Sequence, residues 1–412
     1  MSTDTPGIDP LEALRAPRDP ACDVFLTGPV FLDIIFTGLD SAPVRGTESW
    51  ARGMGSSPGG VANMATALAR LGLRTSLAAA FGDDHYGEYC WDALEQGEGI
   101  DLSMSHTVPG WHSPVTVSMA YEGERTMVSH GHEAPAPAGP GTSSAAPGPG
   151  TSSAAPGPGT SSAAPGPGPA GPGTPAAAAG TATSAGAGAP DFPRCPPRAR
   201  AAIASLAPGR SEPWVAAAAR GGALVFGDVG WDETGRWDLD ALPDLAHCEA
   251  FLPNAEEAMR YTRTDCPRAA AHALAERVPL AVVTLGAEGA YAVDGRTGTA
   301  AAVPAIEVEA LDPTGAGDVF VAGFVTGTLA AWPLADRLAF AGLTAALSVQ
   351  EFGGSLSAPG WAEIAAWWQL IRTCDRQDPA ALERYAFLED LLPATARAWP
   401  LRRAVPTIGF RQ

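Results

Sequence analysis

The chain has 412 residues, 45 acidic against 26 basic side chains, and a formal net charge of −19. All 26 basic side chains are arginine, because lysine does not occur. That absence excludes a P-loop, a protein-kinase site and a pyridoxal Schiff base, each of which needs the lysine amine, and the acidic balance argues against nucleic-acid or polybasic membrane partners.

Residues 134–190, 57 positions, hold only Ala, Pro, Gly, Ser and Thr, with GPGTSSAAP three times from Gly139, Gly148 and Gly157. Such a segment has no large side chain to bury against its ordering entropy. It is expected to be a flexible, uncharged insertion at a surface loop. The remaining 355 residues suit one large α/β domain with a lid. The six cysteines are scattered, without C-x-x-C, and read as free thiols of a reducing compartment. The chain opens on polar residues and has no apolar run long enough to cross a bilayer. A cytoplasmic protein is expected.

Residues 1–21 read as a loose tail. Asp23 to Gly28 predicts a buried strand ending in a glycine turn, and Phe31 to Gly38 is a second apolar run. Ser57-Pro58-Gly59-Gly60 is a turn into a helix with Ala62, Ala65, Leu68, Ala69 and Leu71 at helical spacing and Gly72 at its end. Thr75 to Phe81 is the next strand. Strand, helix, strand is the alternation of a parallel sheet. Ser113 to Ser129 alternates instead, around Glu122-Gly123, and predicts a hairpin with one wet face. With partners from Ile34 to Gly53 it would form a small sheet over a cleft.

After the insertion, Ala223 to Phe226, Phe251-Leu252 and Ala281 to Leu285 read as strands. Val319 to Leu329, Ala335 to Val349 and Pro379 to Leu392 read as helices. Asp228 follows a strand end, where α/β proteins bind ligands, or else caps the next helix. His130-Gly131-His132-Glu133 reads as a solvated strand end rather than a metal site.

The most informative stretch is Leu311-Asp312-Pro313-Thr314-Gly315-Ala316-Gly317-Asp318-Val319-Phe320. Small residues sit where a loop becomes a helix, and the first N–H groups of a helix have no carbonyl one turn back. They form an anion site that glycine lets a phosphate approach closely. A carboxylate beside such a site repels phosphate, but it suits a group taking a proton from a hydroxyl that attacks that phosphate. On spacing alone, an Asp-rich cap with a glycine turn fits equally well.

This stretch resembles the C-terminal signature of the ribokinase-like (PfkB) carbohydrate kinases. The resemblance implies Asp318 as catalytic base and Gly315, Ala316 and Gly317 as the anion hole. It also implies, as in some members, a monovalent-cation (K⁺) site near Asp312. Gly59-Gly60-Val61-Ala62-Asn63, followed by Leu71-Gly72 and Phe81-Gly82-Asp83, resembles the family's N-terminal signature. In that signature the glycine pair (Gly59, Gly60) and the Asn (Asn63) contact the sugar. Val61 departs from the Gly, Ala or Pro usual there. Gly28 to Asp33 resembles a glycine-to-aspartate element whose Asp, here Asp33, bonds sugar hydroxyls. Asn254 and Glu257 resemble the N-x-x-E element that helps hold Mg²⁺ through water. Val283 to Ala290 resembles the nucleotide-side strand and turn, with Thr284, Gly286 and Gly289 toward ATP.

The fold implied is a three-layer α/β/α domain with a central, mostly parallel sheet and a small β-sheet lid. It would comprise residues 22–133 and 191–374, with the lid from about 33–57 and 111–131, followed by a C-terminal extension, 375–412. The implied activity is ATP-dependent phosphorylation of a sugar hydroxymethyl group, with Mg²⁺ and K⁺, a small-molecule sugar or nucleoside as partner, and a homodimer formed through the lid. Two alternatives remain at this stage. One is a nucleoside kinase, with Trp111 as a base-stacking residue; the other is a sugar-binding protein without catalysis.

Overall fold

A computed structural model describes residues 15–121, 124–132, 196–232, 234–374, 378–392, 403–404 and 406–410. The insertion at 134–190 and most of the N-terminal tail lie outside the described residues. In chain order the first part holds β1 (Cys22–Thr27), β2 (Val30–Leu39), β3 (Gly53–Gly60), α1 (Ala62–Arg70), β4 (Thr75–Ala78), β5 (Ala80–Gly82), α2 (His85–Asp92), β6 (His106–Val108), β7 (Val115–Tyr121) and β8 (Glu124–His130). Then follow β9 (Ala199–Leu206), α3 (Pro213–Arg220), β10 (Leu224–Val229), β11 (Ala250–Phe251), α4 (Ala255–Thr262), α5 (Pro267–Ala275), β12 (Leu280–Thr284), β13 (Ala290–Asp294) and β14 (Ala300–Val303). The last part holds α6 (Ala316–Leu329), α7 (Leu334–Ser348), α8 (Trp361–Thr373), two short helices at Pro379–Arg384 and Leu388–Leu391, and β15 (Thr407–Phe410).

The main sheet has eight strands in the order β14-β13-β12-β11-β10-β9-β1-β4. Pairing is parallel from β4 through β12 and antiparallel from β12 to β14. Side chains alternate faces along a strand. Val24 and Leu26 of β1 therefore enter the core shared with α1, α6, α7 and α8, while Phe25 enters the core shared with α3, α4 and α5. Helices on both faces are what a parallel sheet requires, since its strands are apolar on both sides. The three-layer expectation holds.

Besides the helix expected over Pro379 to Leu392, which is two short helices, two readings change. Thr75 to Phe81 is two strands rather than one. At Ala79 the N–H donates to the Ser105 hydroxyl and the carbonyl accepts from His106. The chain therefore leaves the main sheet there, and β5 pairs with β6. The second change is β9, which no sequence pattern marked. It lies between β1 and β10 in the middle of the sheet, and its run Ala-Arg-Ala-Ala-Ile-Ala-Ser-Leu has little of the β-branched or aromatic content that announces a strand.

The second sheet has the order β15-β3-β2-β7-β8. The predicted hairpin is β7–β8, and β7 joins β2 in parallel. The main sheet is pinned at its N-terminal end by Asp23. That fully buried carboxylate pairs with Arg15 at 3.1 Å, Arg74 at 2.8 Å and Arg200 at 3.6 Å. Burial pushes its pKa up, but the Arg74 hydrogen bonds and the Arg15 charge outweigh this and hold the carboxyl below its ordinary value.

Candidate active site

The first group of candidate residues comes together where β2, β3 and α1 meet. Asp33, 7% exposed, faces Ser57 across the β2–β3 ladder. Its carboxylate lies against Gly59 so closely that a Cβ there would stand 1.9 Å from Oδ2. Gly59 is therefore glycine for the sake of the Asp33 side chain. Gly60 is glycine for a backbone reason: its φ is +65°, and a Cβ would meet the Pro29 carbonyl at 2.4 Å. That carbonyl accepts the Val61 N–H at 3.1 Å, which turns the chain into α1.

Asn63, in the first turn of α1, is 6% exposed. Its Nδ2 donates to Asp318 Oδ2 at 2.9 Å, and its Oδ1 is buried without a partner among the described residues. This contact joins two motifs 255 positions apart in the chain. It puts Asp318 in the same cleft as Asn63.

Asp318 lies in the first turn of α6, behind a Gly315 N-cap with φ +78°. A Cβ on Gly315 would approach the Asn63 side chain at 3.3 Å, whereas one on Gly317 would meet nothing within 4 Å. Gly315 thus packs against the Asn63–Asp318 pair, and Gly317 faces open space. Of the 315–317 amides, Ala316 N–H is engaged in a long bond, 3.3 Å, to the Pro313 carbonyl.

Asp312 is 2% exposed; its Oδ1 accepts the Thr314 N–H at 2.9 Å. Its Oδ2 and the Thr314 hydroxyl are buried without partners among the described residues. A buried carboxylate oxygen left unsatisfied is costly in an interior. The Ser57 hydroxyl, also buried and unpartnered, faces the same Gly354 backbone as the Thr314 methyl.

On the far side of the sheet's C-terminal edge, Asn254 and Glu257 form a capping box at the start of α4. Asn254 Oδ1 accepts the Glu257 N–H at 3.0 Å, and Glu257 Oε2 accepts the Asn254 N–H at 2.9 Å. One oxygen of each side chain is therefore committed to the helix start. A bridge pairs Asn254 with Thr284 at the end of β12, so the two elements expected on the nucleotide side adjoin. Gly286, at φ +57°, faces open space. Gly289 answers to the turn itself, since at φ +104° a Cβ would strike the Val303 carbonyl at 2.0 Å.

One residue gains weight that its sequence context did not give it. Asp228, at the end of β10, lies within the field of Asp318 and Glu257; burial first, and then those two carboxylates, hold it well above the usual carboxylate range. Burial likewise raises Glu257. The strand-end position was the available signal, but convergence on Asp318 comes from the fold. Trp111 is 9% exposed, packs with Ala80 and Val108, and donates its ring N–H to the His132 carbonyl at 3.2 Å. It acts as a packed side chain.

The pfkB family carbohydrate kinase pattern matches residues 32–139 and 214–361, more than half of the chain. The chain belongs to the pfkB carbohydrate kinase family. Over 129 residues it is 34% identical to the ribokinase of Schizosaccharomyces pombe, a match covering 29% of this chain and 40% of that protein. Over 85 residues it is 36% identical to the ribokinase of Lactococcus lactis subsp. lactis, covering 21% and 28%. The chain thus spans less than half the length of these curated relatives. Among solved structures, Arabidopsis thaliana ribokinase complexed with ribose and ATP superposes with a TM-score of 0.59 at 20% identity, over 84% of this chain and 98% of that one. The Methanocaldococcus jannaschii nucleoside kinase does so at 0.57 and 16%, over 84% and 98%. At these identities the likeness is one of fold.

Proposed function

We propose that this pfkB protein transfers the γ-phosphoryl group of ATP to a hydroxymethyl group of a sugar. The observation that carries the reading is the Asn63–Asp318 hydrogen bond. It supports the reading because it joins the Gly59–Asn63 motif to a carboxylate in the first turn of α6, where an alcohol and a phosphoryl group would meet.

In this reading Asp33 accepts hydrogen bonds from the acceptor's hydroxyls, and the unpartnered Asn63 Oδ1 accepts one more. The Asn63 amide orients Asp318, which takes the proton of the primary alcohol as the alcohol oxygen attacks the γ-phosphorus and the bond from that phosphorus to the bridging oxygen breaks, releasing ADP. The amides of 315–317 donate hydrogen bonds to the equatorial oxygens and so stabilise their charge, an electrostatic role that a helix N-terminus supplies without reorganisation. ATP lies along Thr284 and Gly286. The hard oxygen donors here suit Mg²⁺. Among the described residues no three acidic, His or Cys side chains are arranged to hold a metal by themselves. Asn254 and Glu257, each with one oxygen in the capping box, would therefore act on a nucleotide-borne Mg²⁺ through water. Bound Mg²⁺ would neutralise phosphate charge in a cleft that already holds Asp228, Glu257 and Asp318. The orphaned Asp312 Oδ2 and Thr314 hydroxyl fit a monovalent cation of K⁺ type, which would satisfy both.

The test is ATP consumption against a panel of sugars and nucleosides with Mg²⁺ and K⁺ present. Transfer to a sugar is expected. Preference for a nucleoside would move the chain to the other branch of the fold, and silence toward every acceptor would leave a binding protein. Asp318→Asn keeps an oxygen to accept from Asn63, so the fold is expected to survive while kcat falls about 10²–10⁴-fold. Near-normal turnover would remove Asp318 as base.

A further inference from the structure

The lid strand that ends in the glycine pair is poorly equipped to hold itself. β3 reads Gly-Met-Gly-Ser-Ser-Pro-Gly-Gly: four glycines, low in β propensity, and a proline that cannot donate to a ladder. Gly-rich strands also specify their register weakly. β2 pairs with β3 along one edge, from Gly60 to Gly53. The other edge is taken by β15, from the C-terminus of the same chain. Thr407 stands opposite Ser56, Ile408 opposite Gly55, Gly409 opposite Met54 and Phe410 opposite Gly53.

The residues just before β15 are fastened to the body. Arg403 forms a two-pronged ion pair with Glu363 of α8, at 2.9 and 2.6 Å. The Ala404 N–H donates to Glu98 at 3.0 Å, and its carbonyl accepts from Arg70 at 3.4 Å. Arg70 and Glu98 are themselves a buried pair, 4% and 1% exposed, and Arg70 belongs to α1, the helix that carries Asn63. Gly97 and Gly353 leave room for the segment, since a Cβ would come within 2.7 Å of Ala404 and 2.9 Å of Pro406. Two residues separate the anchored Ala404 from the first lid-paired residue, so there is little slack between body and lid.

We propose that residues 403–410 are a strap that fixes β3, and with it Gly59 and Asp33, over the acceptor site. The strap is thus a positioning element for acceptor binding. The proposal rests on the kinase reading for its substrate, but not for the strap itself. With the strap gone, the outer edge of β3 at residues 53–56 loses its ladder partner, and the strand that lines the acceptor pocket is held by β2 alone.

The test compares the full chain with one ended at Val405, which keeps the Arg403 and Ala404 anchors, and with Arg403→Ala, which frees Glu363. Hydrogen exchange of amides 53–56, measured without substrates, is expected to quicken by about tenfold or more in the shortened chain, and less in Arg403→Ala. The KM for the acceptor is expected to rise about three- to tenfold, while kcat and the KM for ATP stay within about twofold. Unchanged exchange at 53–56 in both variants overturns the strap. Faster exchange with an unchanged acceptor KM overturns its positioning role. Absence of transfer by the full chain would strike the kinase reading alone, because the exchange measurement still decides whether the strap holds β3.

Discussion

Gly59→Ala tests the acceptor end with a single methyl group. The added Cβ would stand 1.9 Å from Asp33 Oδ2 and 2.1 Å from its Cγ, where ordinary contact begins at 3.4 Å. The carboxylate must therefore retreat by about 1.5 Å, the difference between 3.4 and 1.9 Å, which takes it out of hydrogen-bond range of any hydroxyl it had been holding at about 2.7–2.8 Å. One bond to a charged group contributes about 1.5–3 kcal/mol, or roughly 10–150-fold in affinity at 1.4 kcal/mol per decade. Steady-state kinetics on Gly59→Ala should show the acceptor KM raised by that factor and the KM for ATP unchanged, with far-ultraviolet circular dichroism matching the parent. Asp33→Ala should lose at least as much, and the double variant no more than Asp33→Ala alone, because both changes remove one interaction. A parental acceptor KM in Gly59→Ala, or full additivity in the double variant, would refute the assignment of Asp33 to the acceptor.

Three other outcomes are expected besides the Asp318→Asn result. Asp228 has a folded-state pKa above its unfolded value, so the protein binds more protons folded than unfolded, and stability falls as pH rises between the two values. Asp228→Asn should therefore raise the melting temperature of the substrate-free protein at pH 7.5 and do so less at pH 4; a gain that does not grow with pH contradicts the placement among carboxylates. Asp23 behaves oppositely, with a lowered pKa whose stabilisation is lost as pH falls. Asp23→Ala takes the shared buried carboxylate from Arg15, Arg74 and Arg200 and should cost about 3–5 kcal/mol by urea denaturation near neutral pH, and less as the pH falls through the carboxylate's own titration. Deleting 134–190 should leave melting temperature and transfer rate unchanged, because the segment contains no large apolar, aromatic or charged side chain; a drop in either would give the repeats a structural role.

The motifs of this chain were legible because their chemistry is local. Gly315-Ala316-Gly317-Asp318 announces a helix N-terminus with a carboxylate beside it, Gly59-Gly60 a tight approach to a helix, and Asn254 to Glu257 a capped helix start. Each follows from backbone geometry within a few residues. The alternation of apolar runs and helical spacing likewise determined the class of fold. Tertiary structure decided the rest. β9 is an alanine-rich run that becomes a central strand only because β1 and β10 cover both of its edges. Ala79 breaks its strand because Ser105 and His106, distant in sequence, capture its backbone groups. The hydrogen bond from Asn63 to Asp318, the crowding of Asp228 by two other carboxylates and the pairing of β15 with β3 join residues far apart in the chain. Periodicity and propensity report on neighbours in sequence, whereas charge interactions and ladder pairing depend on neighbours in space, and only packing brings those together.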